Sequence, residues 1–275
     1  MSTTRYLIET PHLAPDTVVA LLSDFPFTAF TTGEARLDAY LPSSEDSDHV
    51  YEAVCQLAAR FELQLRREQI PDENWNARWE ADYQSVEIDD WLRIRAPFHT
   101  AADGYDHELI ILPEMSFGTG HHHTTYMLAE MMRHVSPFGK TCFDFGCGTG
   151  ILAILAAKLG AQSVVATDID QRCVDSTRAN AARNHVQLHQ VSIGTEQTLP
   201  AGPFDLIMAN INRGVLVKAL PALAERLSEG GEIWLSGVLE SDRVLMKDAL
   251  NLSALTLNET VQREKWLAMR TTRTV

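Results

Sequence analysis

The rhythm of hydrophobic and polar positions changes partway along the chain. Over residues 1–70, short strand-like stretches trade places with helical spacing. RYLIE (5–9) reads as a strand, and PDTVVALLSDF (15–25) as a helix opened by Pro15 and Asp16. FTAFTT (27–32) and ARLDAYL (35–41) read as strands joined through Gly33-Glu34, a hairpin junction. The acidic, serine-rich PSSEDSD (42–48) leads into a helix, HVYEAVCQLAARF (49–61), and ELQLRREQI (62–70) closes as an alternating strand. The order β-α-β-β-α-β is that of a small α+β, ferredoxin-like unit. It contains no recognisable catalytic chemistry.

Residues 71–98 begin at Pro71, carry Trp75, Trp79, Tyr83 and Trp91, and have a helical middle, NWNARWEADYQ. They read as a connector whose aromatics pack against a neighbouring domain. From residue 99 onward strands lengthen and alternate with helices: TCFDFG, ILAILAAKLG, SVVATDID, QRCVDSTRANAARN, FDLIMANI and EIWLSGV. Such alternation implies an α/β, doubly wound, Rossmann-like parallel sheet. The expected organisation is therefore a ferredoxin-like domain (1–70), an aromatic helical connector (71–98) and a Rossmann-like domain (99–275), with no internal repeat.

Composition narrows the class only modestly. The chain has 275 residues, 45% of them hydrophobic, and a mean hydropathy of −0.12, ordinary for a soluble globular protein. No run approaches the roughly 18–20 apolar residues of a bilayer span, and ILAILAA (151–157) is closed by Lys158. MSTTRYLIETPH lacks the basic-then-apolar layout of a signal peptide, so the expected compartment is the cytoplasm. Cys55, Cys142, Cys147 and Cys173 form no C-x-x-C pair and read as buried or loop thiols. The formal net charge of −14 argues against nonspecific binding to a nucleic acid backbone. A monomer is the simplest assembly.

The chemistry concentrates where the second rhythm begins. A strand ending in Asp144, a turn bearing Gly146, Gly148 and Gly150, and a helix from Ile151 form a loop that a ligand can approach closely. A dinucleotide fingerprint G-x-G-x-x-G started at Gly146 meets Ile151 in its last position; started at Gly148 it reaches Ala153 but lies late in the turn. D-x-G-x-G-x-G instead resembles the nucleoside loop of S-adenosylmethionine-dependent methyltransferases. Asp168 ends the next strand, twenty residues after Gly148, where a carboxylate accepts both ribose hydroxyls. Asp170 is placed to cap the following helix.

FDLIMANINR (204–213) has strand character through Ala209 and then presents Asn210-Ile211-Asn212. Ligands of open α/β sheets bind at the carboxyl ends of strands, so Asn210 is the candidate catalytic residue. Its amide oxygen and the adjacent carbonyl can accept hydrogen bonds from an attacking amine and aim its lone pair. Methyl transfer from a sulfonium is an in-line displacement in which positioning supplies much of the acceleration. A lysine amine, with a pKa of about 10.4, must first lose its proton. Asn212 reads equally as a further contact or as a turn-forming asparagine.

Five stretches together, FGTGHHHTT (117–125), DFGCGTGILAILAAKLGA (144–161), ATDID (166–170), ANINR (209–213) and GGEIWLSGV (230–238), resemble the PrmA family. That family methylates protein eleven of the large ribosomal subunit. The resemblance implies S-adenosyl-L-methionine as methyl donor, with cofactor contacts on Thr125, Gly146, Asp168 and Asn210. It implies lysine ε-amines, and the N-terminal α-amine, of that ribosomal protein as acceptors. It further implies that the small domain captures the substrate while the connector repositions the catalytic domain. The chain departs from the family in His121-His122-His123, where a Thr-His-Pro is usual, and in Asn212-Arg213, where many members are apolar or small. The alternative reading is a methyltransferase of the same fold acting on another protein or a small-molecule amine.

The histidine run could instead suggest a metal. Adjacent side chains in an extended segment face opposite ways, so at most His121 and His123 share a ligand, and no H-E-x-x-H or cysteine pair completes a site. No metal is expected. Gly118 and Gly120 permit a tight turn that sets Phe117, Gly118 and Thr119 over the methionine half of the cofactor. Thr124 or Thr125 is then expected to cap the helix TTYMLAEMMRHV. Intact Asp144, Asp168 and Asn210 argue against an inactive scaffold.

Overall fold

The computed structural model describes residues 2–70, 83–113 and 123–274. The chain divides into two compact units, Met1–Tyr83 and Gln84–Val275.

The first unit runs β1 (Thr3–Glu9), α1 (Pro15–Leu21), β2 (Ala29–Gly33), β3 (Arg36–Pro42), α2 (Asp48–Arg60) and β4 (Gln64–Ile70). Its sheet has the order β2-β3-β1-β4 and is antiparallel throughout. Alternation in β1 buries Thr4, Tyr6 and Ile8 on one face. Both helices cover that face through Val18, Val54 and Ala58. Pro15 opens α1, where its missing N–H costs nothing. Ser47 caps α2 by accepting the Val50 N–H at 3.3 Å.

The second unit begins with β5 (Val86–Ile88), β6 (Leu92–Arg95) and β7 (His107–Ile110), a small sheet of order β5-β6-β7. Here the expected connector of residues 71–98 is corrected. Its first part, 71–82, lies outside the described residues, but 86–95 are strands belonging to the second unit. The reason is period-two burial: Leu92 and Ile94 point into the core while Arg93 and Arg95 remain only partly covered. Trp91 packs into the same core.

Then follow α3 (His123–His134), β8 (Thr141–Phe145), α4 (Ile151–Lys158), β9 (Ser163–Asp168), α5 (Gln171–Arg183) and β10 (Gln190–Ile193). The chain continues through β11 (Phe204–Asn210), α6 (Arg213–Ala224), β12 (Leu227–Leu239), α7 (Arg243–Leu252), β13 (Leu255–Arg263) and β14 (Trp266–Arg273). The main sheet has the order β10-β9-β8-β11-β12-β14-β13. It is parallel from β10 to β12 and antiparallel across β14 and β13. An all-parallel sheet is thus corrected at one edge. β13 and β14 are joined by Glu264 and Lys265 alone, and strands linked so tightly can pair only antiparallel.

Both faces of this sheet are covered. Along β11, Leu206 and Met208 join one core with α3 and α4, and Ile207 and Ala209 join the other with α6 and α7. Trp234 in β12 faces the first core, while its neighbours Ile233 and Leu235 face the second. Burial on two sides explains the near-continuous apolar strands, and burial all round explains the uniformly apolar α4. Among the described residues no helix is long and apolar enough to cross a membrane. Strand order reverses at β8, whose two neighbours are β9 and β11, so their carboxyl ends open a crevice.

Candidate functional site

The crevice is lined by three strand ends in a row. β8 supplies the glycine turn, β9 supplies Asp168 and β11 supplies Asn210. Two strand spacings separate the flanking residues, about 10 Å of sheet width.

The turn is built from backbone that only glycine tolerates well. Gly146, Gly148 and Gly150 have φ of 79°, 55° and 82°. A Cβ on Gly146 would sit 2.3 Å from Ile211 Cγ2. The turn is tied to its neighbours: the N–H groups of Gly146 and Cys147 donate to Thr167 O at 2.8 and 3.0 Å. The Gly148 N–H donates to Asp168 Oδ2 at 2.9 Å, bringing the two predicted contacts together. The other Asp168 oxygen accepts the Asp170 N–H at 3.0 Å. A carboxylate has about four acceptor directions, so two backbone donors do not fill it. Asp170 caps α5 through the Arg172 N–H at 2.9 Å, as its position suggested.

Asp144 lies deeper than a contact residue would. It is only 1% exposed; its Oδ2 accepts the Ala153 N–H at 3.1 Å, and its Oδ1 has no hydrogen-bond partner among the described residues. Burial, only partly offset by that hydrogen bond, pushes its pKa from 3.8 to about 7. The unfolded carboxyl loses its proton near 3.8 and the folded one near 7. Between those values folding takes up a proton, so stability falls as pH rises, by about 4 kcal/mol across the window. Asp144→Asn keeps an oxygen for the Ala153 N–H and removes the titration. Thermal melts from about pH 5 to about pH 8 should therefore be flatter for the variant than for the parent. Parallel profiles would place the titrating group elsewhere.

At the other end, Asn210 Nδ2 donates to Thr125 Oγ1 at 3.0 Å across 85 residues of sequence. The expectation that Thr124 or Thr125 caps α3 is corrected here. The helix starts at His123, and both threonines are buried inside its first turn. The Thr125 hydroxyl accepts from the amide nitrogen of Asn210, a bond that orients the amide and so sets the direction of its oxygen. Asn212 resolves as the cap of α6, its Oδ1 accepting the Val215 N–H at 3.1 Å. Between them Ile211 is gripped tightly: a Cβ on Gly237 would lie 2.2 Å from the Ile211 carbonyl oxygen.

Phe117, Gly118, Thr119, Gly120, His121 and His122 lie outside the described residues. Among the described residues no three His, Cys, Asp or Glu side chains are grouped for a metal.

Two apolar residues escaped the sequence reading. Ile169 and Ile193, at the carboxyl ends of β9 and β10, are 75% and 53% exposed. Ile169 follows Asp168 in the chain, and Ile193 pairs with Asp168 in the β10–β9 register. The available signal was an isoleucine between two aspartates, which strand periodicity alone does not make exposed.

Comparison with known proteins points one way. The family model described as ribosomal protein L11 methyltransferase (PrmA) matches residues 11–274. A ribosomal protein L11 methyltransferase from Porphyromonas gingivalis is 41% identical over 266 residues, covering 94% of this chain and 91% of its own. One of the same name from Bacteroides thetaiotaomicron is 31% identical, covering 98% and 99%. The crystal structure of a ribosomal protein L11 methylase from Lactobacillus delbrueckii subsp. bulgaricus superposes with a TM-score of 0.63 at 28% identity. That match covers 70% of this chain and 99% of the other.

Proposed function

The chain belongs to the ribosomal protein L11 methyltransferase (PrmA) family, and from that premise we propose how its crevice methylates ribosomal protein L11. The protein is a methyltransferase that uses S-adenosyl-L-methionine. The observation that carries the reading is the joined pair of contacts, Gly148 to Asp168 and Asn210 to Thr125, at the two flanks of one glycine turn.

The residues fit such a cofactor. Asp168 offers two acceptor directions for ribose hydroxyls, and Ile169 and Ile193 offer apolar faces for the base. Gly146, Gly148 and Gly150 leave the backbone of the turn open to close approach. Thr125 and Asn210 stand at the far side, and Phe117, Gly118 and Thr119 are proposed as further cofactor contacts from the sequence alone. Asp144 holds the start of α4 under the turn and supports the pocket from below. S-adenosyl-L-methionine, when bound, supplies an electrophilic methyl group on a sulfonium.

Asn210 acts as the catalytic residue by holding the acceptor amine. Its amide nitrogen is fixed by Thr125, so the amide oxygen and the neighbouring backbone carbonyl accept the amine N–H groups. That arrangement aims the lone pair of the neutral amine, the form that attacks once the ammonium has given its proton to solvent. Positioning of this kind accounts for much of the barrier reduction in a displacement on an activated donor. Lysine ε-amines and the N-terminal α-amine of ribosomal protein L11 are the proposed acceptors.

The first unit is proposed as a ferredoxin-like module that captures the ribosomal protein. Support comes from its β-α-β-β-α-β order, its antiparallel β2-β3-β1-β4 sheet, and the lack of catalytic groups recognisable in its sequence. A chain lacking residues 1–70 is expected to keep the affinity for S-adenosyl-L-methionine but to lose methylation of L11. Full L11 methylation by the shortened chain would transfer substrate capture to the second unit.

A further inference from the structure

α5 carries polar side chains where a buried helical stripe is ordinarily apolar. Thr177 and Asn180 stand at i and i+3 on one face, Asn184 follows as the residue at the helix's C-cap, and the three are 0%, 0% and 4% exposed. Burying such groups is costly unless each is hydrogen-bonded. All three are. Thr177 Oγ1 donates to Gly148 O at 3.0 Å. Asn180 Nδ2 donates to Thr149 O at 3.0 Å, while its Oδ1 accepts the Leu112 N–H at 2.9 Å and the Arg183 guanidinium at 3.1 Å. Asn184 Oδ1 accepts the Ile110 N–H at 2.8 Å, and its Nδ2 donates to Ile110 O at 2.7 Å and Asn180 O at 2.8 Å.

We infer that Asn180 is a positioning residue for the methyl donor, clamping the glycine turn to the backbone that leaves β7 so that the turn is shaped before the ligand arrives. Three glycines at positive φ give the turn reach but little stiffness of its own, because glycine occupies many conformations at similar cost. Its shape must be imposed from outside. In a trans peptide the C=O and the following N–H point in opposite directions. Holding the Gly148 and Thr149 carbonyls against α5 therefore fixes the orientation of the next two N–H groups. The second of these, on Gly150, closes the turn onto Cys147 O at 2.8 Å. A turn held this way spares the ligand the ordering cost, which appears directly as affinity. Asn184, at the end of the same helix, makes bonds of the same kind, but they go to Ile110 and Asn180 rather than to the turn. It is the built-in control.

The inference rests on the reading of the turn as the S-adenosyl-L-methionine site. Its test is calorimetric titration of the full chain with S-adenosylhomocysteine, alongside thermal melts. Asn180→Asp keeps an acceptor for the Leu112 N–H but sets a carboxylate oxygen against the Thr149 carbonyl. Asn184→Asp makes the equivalent change at Ile110. Both should lose melting temperature, but only Asn180→Asp should weaken binding, by about 10-fold to 100-fold at about pH 8, with Asn184→Asp within about 2-fold of the parent. Protonating the new carboxyl restores an O–H donor for Thr149, so the deficit of Asn180→Asp relative to the parent should shrink as pH is lowered toward about 6. Should Asn180→Asp fail to fold, Thr177→Val removes the bond to Gly148 without changing shape and should weaken binding by about 5-fold to 10-fold. Equal affinity in the parent and the folded turn-side variant, or equal losses at 180 and 184, overturns the inference alone. No binding by the parent overturns both it and the reading beneath it.

Discussion

Replacing Asp168 with alanine is expected to weaken S-adenosyl-L-methionine binding by at least about 100-fold, because hydrogen bonds to a charged acceptor are each worth about 1.5–3 kcal/mol and two are lost. Asp168 ends β9 beside the turn, with one oxygen on the Gly148 N–H and the other on the Asp170 N–H. Those bonds hold the carboxylate rigid, so ribose hydroxyls meet a group that needs no reordering on binding. The variant also frees the Gly148 amide, adding to the loss. Asp168→Asn should lose less, about 10-fold, since the amide still accepts at one oxygen. Isothermal titration of both variants checks the ranking, and parental affinity in Asp168→Ala would remove the ribose role.

Asn210→Ala should leave the fold intact and lower kcat by about 10²-fold to 10³-fold, the scale seen when one preorganised hydrogen-bonding group is removed from a reacting centre. Asn210 ends β11 and is held from two sides. Thr125 takes its amide nitrogen, and the next residue, Ile211, is wedged between Gly146 and Gly237. The amine therefore meets an oxygen whose direction is already set. Thr125→Val keeps the side-chain volume but frees the amide to rotate, so its kcat should fall less, by about 10-fold. Steady-state rates at saturating cofactor separate the two effects. If Asn210→Ala kept the parental kcat, aiming of the amine would have to come from elsewhere.

Much of this site was legible in the sequence, for identifiable reasons. The glycine spacing, the acid twenty residues beyond Gly148 and the asparagine after an apolar strand are local patterns, and chain order on an α/β sheet carries them to one crevice. Asp170 was readable as a cap because capping is a short-range bond. What was not legible depends on distant partners. Thr125 meets Asn210 across 85 residues, and Asn180 meets Leu112 across 68. Neither partner leaves a mark near the other in the sequence. Asn180 did leave a trace, as a polar residue on the buried stripe of an amphipathic helix. Strands β5 and β6 were masked by the aromatic residues around them, which drew attention to packing rather than to the period-two alternation of Leu92 and Ile94. The antiparallel edge required recognising that only two residues separate β13 from β14.

Intact-mass spectrometry reads methyl transfer from S-adenosyl-L-methionine to the amines of ribosomal protein L11 as a change in the substrate itself. Ribosomal protein L11 incubated with the full chain and the cofactor should gain mass in steps of one methyl group, with peptide mapping placing them on lysines or the N-terminus. The Asn210→Ala chain should produce little gain in the same time. Unchanged L11 mass, with the parent chain folded and binding cofactor, would contradict the account.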